Sequence, residues 1–235
     1  MNCRYLILLL LLPVFCSAQN PPEKDSLKAV IQNAKSDSVK AVNYLEMGDL
    51  YQHEEKDSAV HYYKHALDIA KRIGNKQIEA KCYNYIGIIY YLKADYDKTL
   101  KYFNKSLEIK KEIGDKGGLA NSYNNIGLIA RKNGELANAL SNFRNAAKIR
   151  KEILNSISDK EQEKREKSLM MIGKAFMNIG NVHYQLGDYP QSLETYKESI
   201  SYFDSVNYKK GISGCYNNIG NIFEEQNNYL KARDY

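Results

Sequence analysis

A five-residue phrase that recurs along the chain limits the folds that are open to it. YNNIG occurs at residues 123–127 and 216–220, and the variants YNYIG and FMNIG occur at 83–87 and 176–180. The glycines that end these phrases, together with Gly48 after YLEM, are spaced by 39, 40, 53 and 40 residues. A period near 40 residues predicts an array of stacked units, in which each unit buries its apolar face against the next.

Each unit contains two segments with helical periodicity. We call the five glycines of this series, Gly48, Gly87, Gly127, Gly180 and Gly220, the marker glycines. Apolar or aromatic residues tend to stand four before, one before and three after each of them, as Tyr83, Ile86 and Tyr90 do around Gly87. These offsets predict one face of a helix, and the glycine on that face lets a second helix approach closely at a propensity cost of about 1 kcal/mol. A turn containing Gly, Asp or Asn follows, and then a second helical stripe in which small residues alternate with rings. The members of this second stripe are Ala59, Tyr63, Ala66, Thr99, Phe103, Ser106, Ala139, Phe143, Ala146, Ser192, Tyr196 and Ser199.

The two stripes predict an all-α fold of helix pairs in which rings fill the spaces opposite glycine, alanine or serine. This packing explains most of the 20 tyrosines in a chain without tryptophan. The Tyr-x-x-Ile-Gly-x-x-Tyr stripe, the Asp-Tyr turn and the small-aromatic-small stripe resemble the tetratricopeptide repeat family, in its variety of about 40 residues per unit. The likeness covers nearly all of residues 41–235, although Thr99, Ser192 and Ser199 replace the usual alanines and His183 takes an aromatic position.

The resemblance implies a right-handed superhelical solenoid of antiparallel helix pairs. It also implies a concave groove that binds a peptide segment or a partner protein, without catalysis. Together with the export signal described next, this leads us to expect a binding scaffold in the bacterial cell envelope.

The first 18 residues predict an export signal. Arg4 precedes the apolar run 5–16, and small residues at 16–18 offer a cleavage point before Gln19. Twelve apolar residues span only about 18 Å as a helix, which is short for a bilayer core of about 30 Å. We therefore expect an exported protein, periplasmic or associated with the envelope. A lipoprotein modified at Cys16 is the alternative, which the bulky Phe15 disfavours.

The rest of the chain divides into a short leading segment and the repeats. Residues 19–40 predict a linker and a capping helix with Leu27, Val30 and Ile31 on one face. The repeat domain, 41–235, divides into units 41–79, 80–119, 120–172 and 173–212 and an incomplete unit 213–235. A charged insertion near 151–168 predicts either a longer second helix with a solvated connector or a docking element for a partner domain.

The incomplete last unit leads to a second functional hypothesis. A half unit would leave Ile219 and Phe223 exposed, so we expect a chain truncated at Tyr235. On this hypothesis, residues 19–235 are the extracytoplasmic sensory region of a larger signal-transduction protein. Further repeats, a membrane span and a signalling domain would follow, whereas no later stretch of the present sequence approaches a membrane span.

Charge and residue clusters argue against other functions. The net charge of +6 is spread over interleaved Lys and Glu, without the basic stripe that nucleic acid requires. His61 and His65 are four residues apart but lack a third ligand, and no nucleophile motif or phosphate loop occurs, so we predict no metal, no cofactor and no enzyme activity. Cys82 and Cys215 hold the same place in two units that are far apart in the sequence, which argues against a disulfide between them.

A further stripe on the first helix of each unit is rich in asparagine. It comprises the residues six, three and two before the marker glycine and one after it. Asparagine disfavours a helix by roughly 0.6 kcal/mol relative to alanine, so its recurrence indicates a role. The predicted peptide-binding residues are Asn84, Tyr85, Asn121, Asn124, Asn125, Lys174, Asn178, Asn181, Asn217, Asn218 and Asn221.

Two interpretations of this stripe stay open. In the first, Asn125, Asn178 and Asn218 hold the main chain of a partner segment while Tyr85, Ile88 and Leu128 supply apolar contact, because an amide both donates and accepts hydrogen bonds. In the second, the amides bind water or neighbouring helices. The lysines of the chaperone-type carboxylate clamp are not reproduced, because Met177 stands where one is expected.

Overall fold

A computed structural model describes residues 22–235, and the predicted leader and Cys16 lie outside the described residues. The described part is helical without a strand, as predicted. The helices are α1 (Pro22–Asn33), α2 (Asp37–Tyr51), α3 (Lys56–Arg72), α4 (Lys76–Leu92), α5 (Tyr96–Glu112), α6 (Lys116–Lys132), α7 (Leu136–Ser156), α8 (Gln162–Gln185), α9 (Tyr189–Asp204), α10 (Lys209–Glu225) and α11 (Tyr229–Arg233).

The helices after α1 form five consecutive pairs in a solenoid, which confirms the predicted fold class. We call the even-numbered helices α2 to α10 the first helices of the units, and the odd-numbered helices α3 to α11 the second helices. Within the described chain, no helix is long and apolar enough to cross a bilayer.

Local sequence sets the ends of these helices. Asn75 and Asp115 cap α4 and α6, since their side chains accept hydrogen bonds from the main-chain nitrogens of Ile78 at 3.0 Å and Gly118 at 2.8 Å. Gly114, which precedes one of these caps, has φ of +68°, a conformation that side chains other than glycine rarely adopt. The chain therefore reverses within a few residues and presents each helix to its partner.

Aromatic rings and marker glycines pack against each other inside each pair. A Cβ atom on Gly87 would lie 2.6 Å from the Phe103 ring, and one on Gly180 would lie 2.6 Å from the Tyr196 ring. The rings are 4% and 1% exposed, respectively. The predicted packing of rings into glycine-lined spaces is therefore confirmed, and the glycines set the separation of the two helices.

The charged insertion lengthens two helices. α7 extends to Ser156, and α8 begins at Gln162 with 24 residues, so residues 162–168, predicted as part of a connector, are helical. The extra turns of α8 pack against α7, because Ser168 is buried and donates to the Arg150 carbonyl at 3.3 Å. Only residues 157–161 connect the two helices.

At the amino-terminal end, α1 packs on α2. Ile31 is buried at 6% exposure, whereas Val30, predicted on the same face, is 46% exposed because it borders an open cavity between α1 and α2.

At the other end of the described chain, α11 packs on α10. The expectation that Ile219 and Phe223 are exposed is wrong. Ile219 is 1% exposed because it packs in a core cluster with Tyr196 and Phe203 of α9. The Phe223 ring is covered by Tyr235, which follows α11 and stacks on it at 5.6 Å between centroids.

Candidate functional site

Hydrogen bonds between asparagines join three of the first helices. The Nδ2 of Asn178 on α8 donates to the Oδ1 of Asn124 on α6 at 3.0 Å, and the Nδ2 of Asn218 on α10 donates to the Oδ1 of Asn181 on α8 at 3.0 Å. The Tyr196 hydroxyl also donates to the Asn181 oxygen, at 2.7 Å. These bonds bring the asparagine stripes of α6, α8 and α10 onto one common face. We call the face formed by Asn124, Asn178, Asn181 and Asn218 the amide surface.

The bonds show that the amides of this surface contact neighbouring helices. This supports the second interpretation for all four residues. It leaves the first interpretation possible, because an amide has two donor hydrogens and an acceptor oxygen, and Asn178 uses only one donor among the described residues. Asn178 is also only half-buried and lines a cavity, so a ligand in that cavity can contact its side chain.

The other predicted residues have less uniform surroundings. Tyr85 stacks on Tyr63 with 5.3 Å between centroids, and burial raises its pKa. Asn125 makes no side-chain hydrogen bond within residues 22–235 and lines a cavity of about 160 Å³ with the predicted apolar residues Ile88 and Leu128. Asn84 is half-buried on α4, and Asn217 and Asn221 are exposed on α10.

A larger cavity of about 420 Å³ lies beside the amide surface, between α6, α8 and α10. It is lined by four of the predicted peptide-binding residues, which are Asn121, Asn124, Lys174 and Asn178, and by the predicted apolar contact Leu128. Two cationic residues that the sequence reasoning missed, Arg150 and Lys210, also line it.

The position of Arg150 follows from the length of α7. It stands on a second helix, whereas the predicted site was confined to the first helices. The sequence did contain an indication, because Arg150 continues the stripe of Ala139, Phe143 and Ala146 by one more helical turn. Its guanidinium donates to the Gly117 carbonyl at 3.3 Å and to the Asn121 side chain.

A second cavity, of about 220 Å³, lies on the other side of the amide surface. Asn181 and Asn218 line it together with Asn221, and the sequence reasoning missed two further polar members, Arg131 and Gln185. The amide surface therefore separates two cavities, one partly apolar and one polar.

Several reactive groups elsewhere in residues 22–235 are paired or buried. His61 and His65 are exposed with their Nε2 atoms 3.0 Å apart, and the described residues hold no cluster of three or more potential metal ligands. Lys110 donates to the Ser122 hydroxyl at 2.9 Å in a buried position, where burial lowers the pKa of the lysine. Cys82 and Cys215 are free and buried, as expected for residues of two separate units.

Family comparison agrees with the geometry. A family model described as tetratricopeptide repeat matches residues 40–112 and 171–235, and a second model with the same description matches residues 119–159. The chain belongs to the tetratricopeptide repeat family. Tetratricopeptide repeats generally form binding scaffolds. No curated protein sequence matches this chain.

Solved structures share the tetratricopeptide repeat fold. BtubC (BKLC) from P. vanneervenii has a TM-score of 0.73 at 15% identity, over 90% of this chain and 83% of that one. Aspartyl phosphate phosphatase F from Bacillus subtilis has a TM-score of 0.67 at 16% identity, over 91% of this chain and 62% of that one. A Rap protein complexed with competence and sporulation factor has a TM-score of 0.65 at 17% identity, over 89% of this chain and 55% of that one. At these identities the likeness shows the fold alone.

Proposed function

We propose that this chain is a non-catalytic scaffold that binds an extended segment of a partner protein along the amide surface. The observation that carries the proposal is the pair of amide bonds, Asn178 to Asn124 and Asn218 to Asn181, which fix four amides on one face between two cavities. An extended segment presents one N–H and one C=O per residue, and these groups lose free energy if they are desolvated without partners. Amides already held in place supply donors and acceptors without further ordering.

The bonds between helices strengthen this proposal in a specific way. Because Asn124 fixes the Asn178 side chain, little rotamer entropy is lost when the remaining donor and oxygen of Asn178 bind a ligand. Asn125 has no such bond in the described part of the chain, but it stands beside the apolar contacts Ile88 and Leu128. The cavities on both sides provide room for side chains of a bound segment.

Export remains part of the proposal on the strength of the leader sequence at residues 1–18. A scaffold located in the envelope would meet its partner outside the cytoplasm. A Rap protein with a similar fold was solved in complex with competence and sporulation factor, and this supports a binding role here.

A displayed library of random twelve-residue peptides is a direct test. Selection against residues 19–235 should enrich a set of binders. Replacing Asn125, Asn178 and Asn218 by alanine should weaken the leading peptide by about 2–4 kcal/mol, at roughly 1 kcal/mol per lost hydrogen bond. The free energy of unfolding should change little. Loss of the two hydrogen bonds between helices costs about 1 kcal/mol each, and the higher helix propensity of the three alanines offsets this by about 0.6 kcal/mol each.

A matched control replaces three exposed asparagines outside the amide surface, Asn104, Asn145 and Asn155, by alanine. This variant should bind the leading peptide as the unchanged chain does. If the selection yields no binder, or if the variant with Asn125, Asn178 and Asn218 replaced by alanine keeps full affinity for the leading peptide, the proposed function is wrong. Circular dichroism and urea unfolding of each variant separate lost binding from lost structure.

A further inference from the structure

The cavity of about 420 Å³ beside the amide surface carries an excess of positive charge. Arg150, Lys174 and Lys210 line it, and no acidic residue does. None of these three residues has a carboxylate oxygen of residues 22–235 within 4.0 Å of a side-chain nitrogen. The lysine on α8 instead has its Nζ atom 5.5 Å from the centre of the Tyr208 ring.

Two other cations on helices that line the cavity are paired. Lys116 at the start of α6 lies 3.8 Å from Glu152, and Lys151, which follows Arg150 in the chain, lies 3.4 Å from Glu198. The three cations at the cavity have no such partner, and they line one enclosed space without an acidic residue among its walls.

The surroundings of Arg150 favour binding of an anion. Its Nη2 donates to the Gly117 carbonyl at 3.3 Å and to the Asn121 side chain, so the guanidinium is oriented by neutral groups only. Burial lowers the pKa of Arg150, and the negative charge of the nearby Asp115 opposes this shift. The Asp115 carboxylate itself accepts a hydrogen bond from the Gly118 main-chain nitrogen at the start of α6. A partly desolvated guanidinium with further free donors is favourable for a bidentate contact with a carboxylate.

The remaining walls suit an amino-acid side chain. Leu128, Met171 and Met177 contribute apolar side chains, and Asn124 and Asn178, which belong to the amide surface, also line the cavity. Methionine adapts its shape to different ligands. Such a lining can contact the methylene groups of a long acidic side chain with its apolar residues and the carboxylate with its cations and amides.

We infer that this cavity binds an acidic side chain, glutamate in preference to aspartate, of the segment that lies along the amide surface. The carboxylate pairs with Arg150 and is attracted by Lys174 and Lys210, while Asn178 holds the adjoining main chain. This inference rests on the proposed function, since the cavity adjoins the amide surface through Asn124 and Asn178. It adds the chemical class of the partner segment and the place where its charge is recognised.

The peptides selected from the random library test the inference. We expect enrichment of Glu at one fixed position of the binders. The leading peptide should bind the unchanged chain about tenfold more tightly than its Glu-to-Gln counterpart, as expected for loss of a charge-assisted hydrogen bond. The variant with Arg150→Gln, Lys174→Gln and Lys210→Gln should bind both peptides equally. Raising the salt from 50 to 500 mM should reduce the difference between the peptides.

A matched control has the same loss of three charges elsewhere. Lys64, Lys101 and Lys197 are exposed on second helices and do not line the cavity, and their triple replacement by Gln should leave the Glu preference intact. If Arg150→Gln unfolds the protein, the pair Lys174→Gln and Lys210→Gln still tests the cavity, with an expected smaller loss of the same preference.

The outcomes separate the two proposals. Binders without Glu enrichment, or equal weakening by the cavity and control variants, would overturn the acidic-side-chain inference while the proposed scaffold function stands. A selection without binders would overturn the scaffold function, and this inference would fall with it. Glu enrichment that disappears only in the cavity variants supports both.

Discussion

The role of the marker glycines leads to a prediction with opposite signs at two positions of one helix. Gly117 and Gly127 both lie in α6, so replacement by alanine makes the same chemical change in the same element. A Cβ atom on Gly117 would have its nearest neighbour, the Asp115 Oδ1, at 3.7 Å, which is an ordinary contact. A Cβ atom on Gly127 would lie 2.8 Å from Cε1 and 3.0 Å from Cδ1 of Phe143.

The magnitudes follow from these distances. Gly117→Ala should raise the free energy of unfolding by about 0.5–1 kcal/mol, because alanine restricts the unfolded chain and favours the helix. Gly127→Ala gains the same propensity, but Phe143 is 0% exposed and its ring cannot move without disturbing both helices. Overpacking of a core costs about 1–3 kcal/mol, so we expect a net loss of about 1–2 kcal/mol.

Urea unfolding followed by circular dichroism at 222 nm measures both variants against the unchanged chain. The double variant Gly127→Ala with Phe143→Leu adds a check, because removing the ring should relieve the clash and make the two changes less than additive. The packing argument is refuted if Gly127→Ala is as stable as the unchanged chain or more stable than it.

Three further predictions concern buried polar groups. Lys110→Met should stabilise the protein by about 1 kcal/mol at pH 7 because it removes a buried charge. The folded-state pKa of Lys110 lies below 10.5, so the unchanged chain gains stability as the pH rises towards 10.5, and the advantage of the variant in urea unfolding should shrink over that range. Cys82 and Cys215 should react with a thiol reagent only as fast as the protein opens, because both are 0% exposed and burial raises the pKa of the Cys82 thiol to about 12. Rapid labelling of the native state would contradict their burial. Tyr196→Phe should lower the free energy of unfolding by about 1 kcal/mol in the same urea assay, because it removes the hydroxyl that donates to Asn181 at 2.7 Å, and an unchanged midpoint would show that this bond is not stabilising.

Much of the fold could be predicted from local patterns. The offsets of three and four residues around Gly87 and the small-aromatic-small stripe around Phe103 specify helices and their buried faces without reference to distant residues. The lengths of α7 and α8 were less predictable. Whether residues 162–168 continue a helix depends on the packing of Ser168 against the Arg150 carbonyl, a contact that no local pattern contains.

The candidate site divides in the same way. Its asparagines were recognisable because their positions recur relative to the marker glycines, but the partner of each amide was not. Arg150 was missed because its proximity to Lys174 and Lys210 arises from the stacking of three units.

The sequence by itself thus determined the repeat, the helix pairs and the packing of rings such as Tyr196 against marker glycines, because these depend on residues a few turns apart and on the absence of a glycine side chain. Only the tertiary structure decided which amides bond across helices and where positive charge accumulates. Asn124 and Asn178 are 54 residues apart, and a hydrogen bond at 3.0 Å depends on the separation and rotation of α6 and α8, which the packing of the whole array sets.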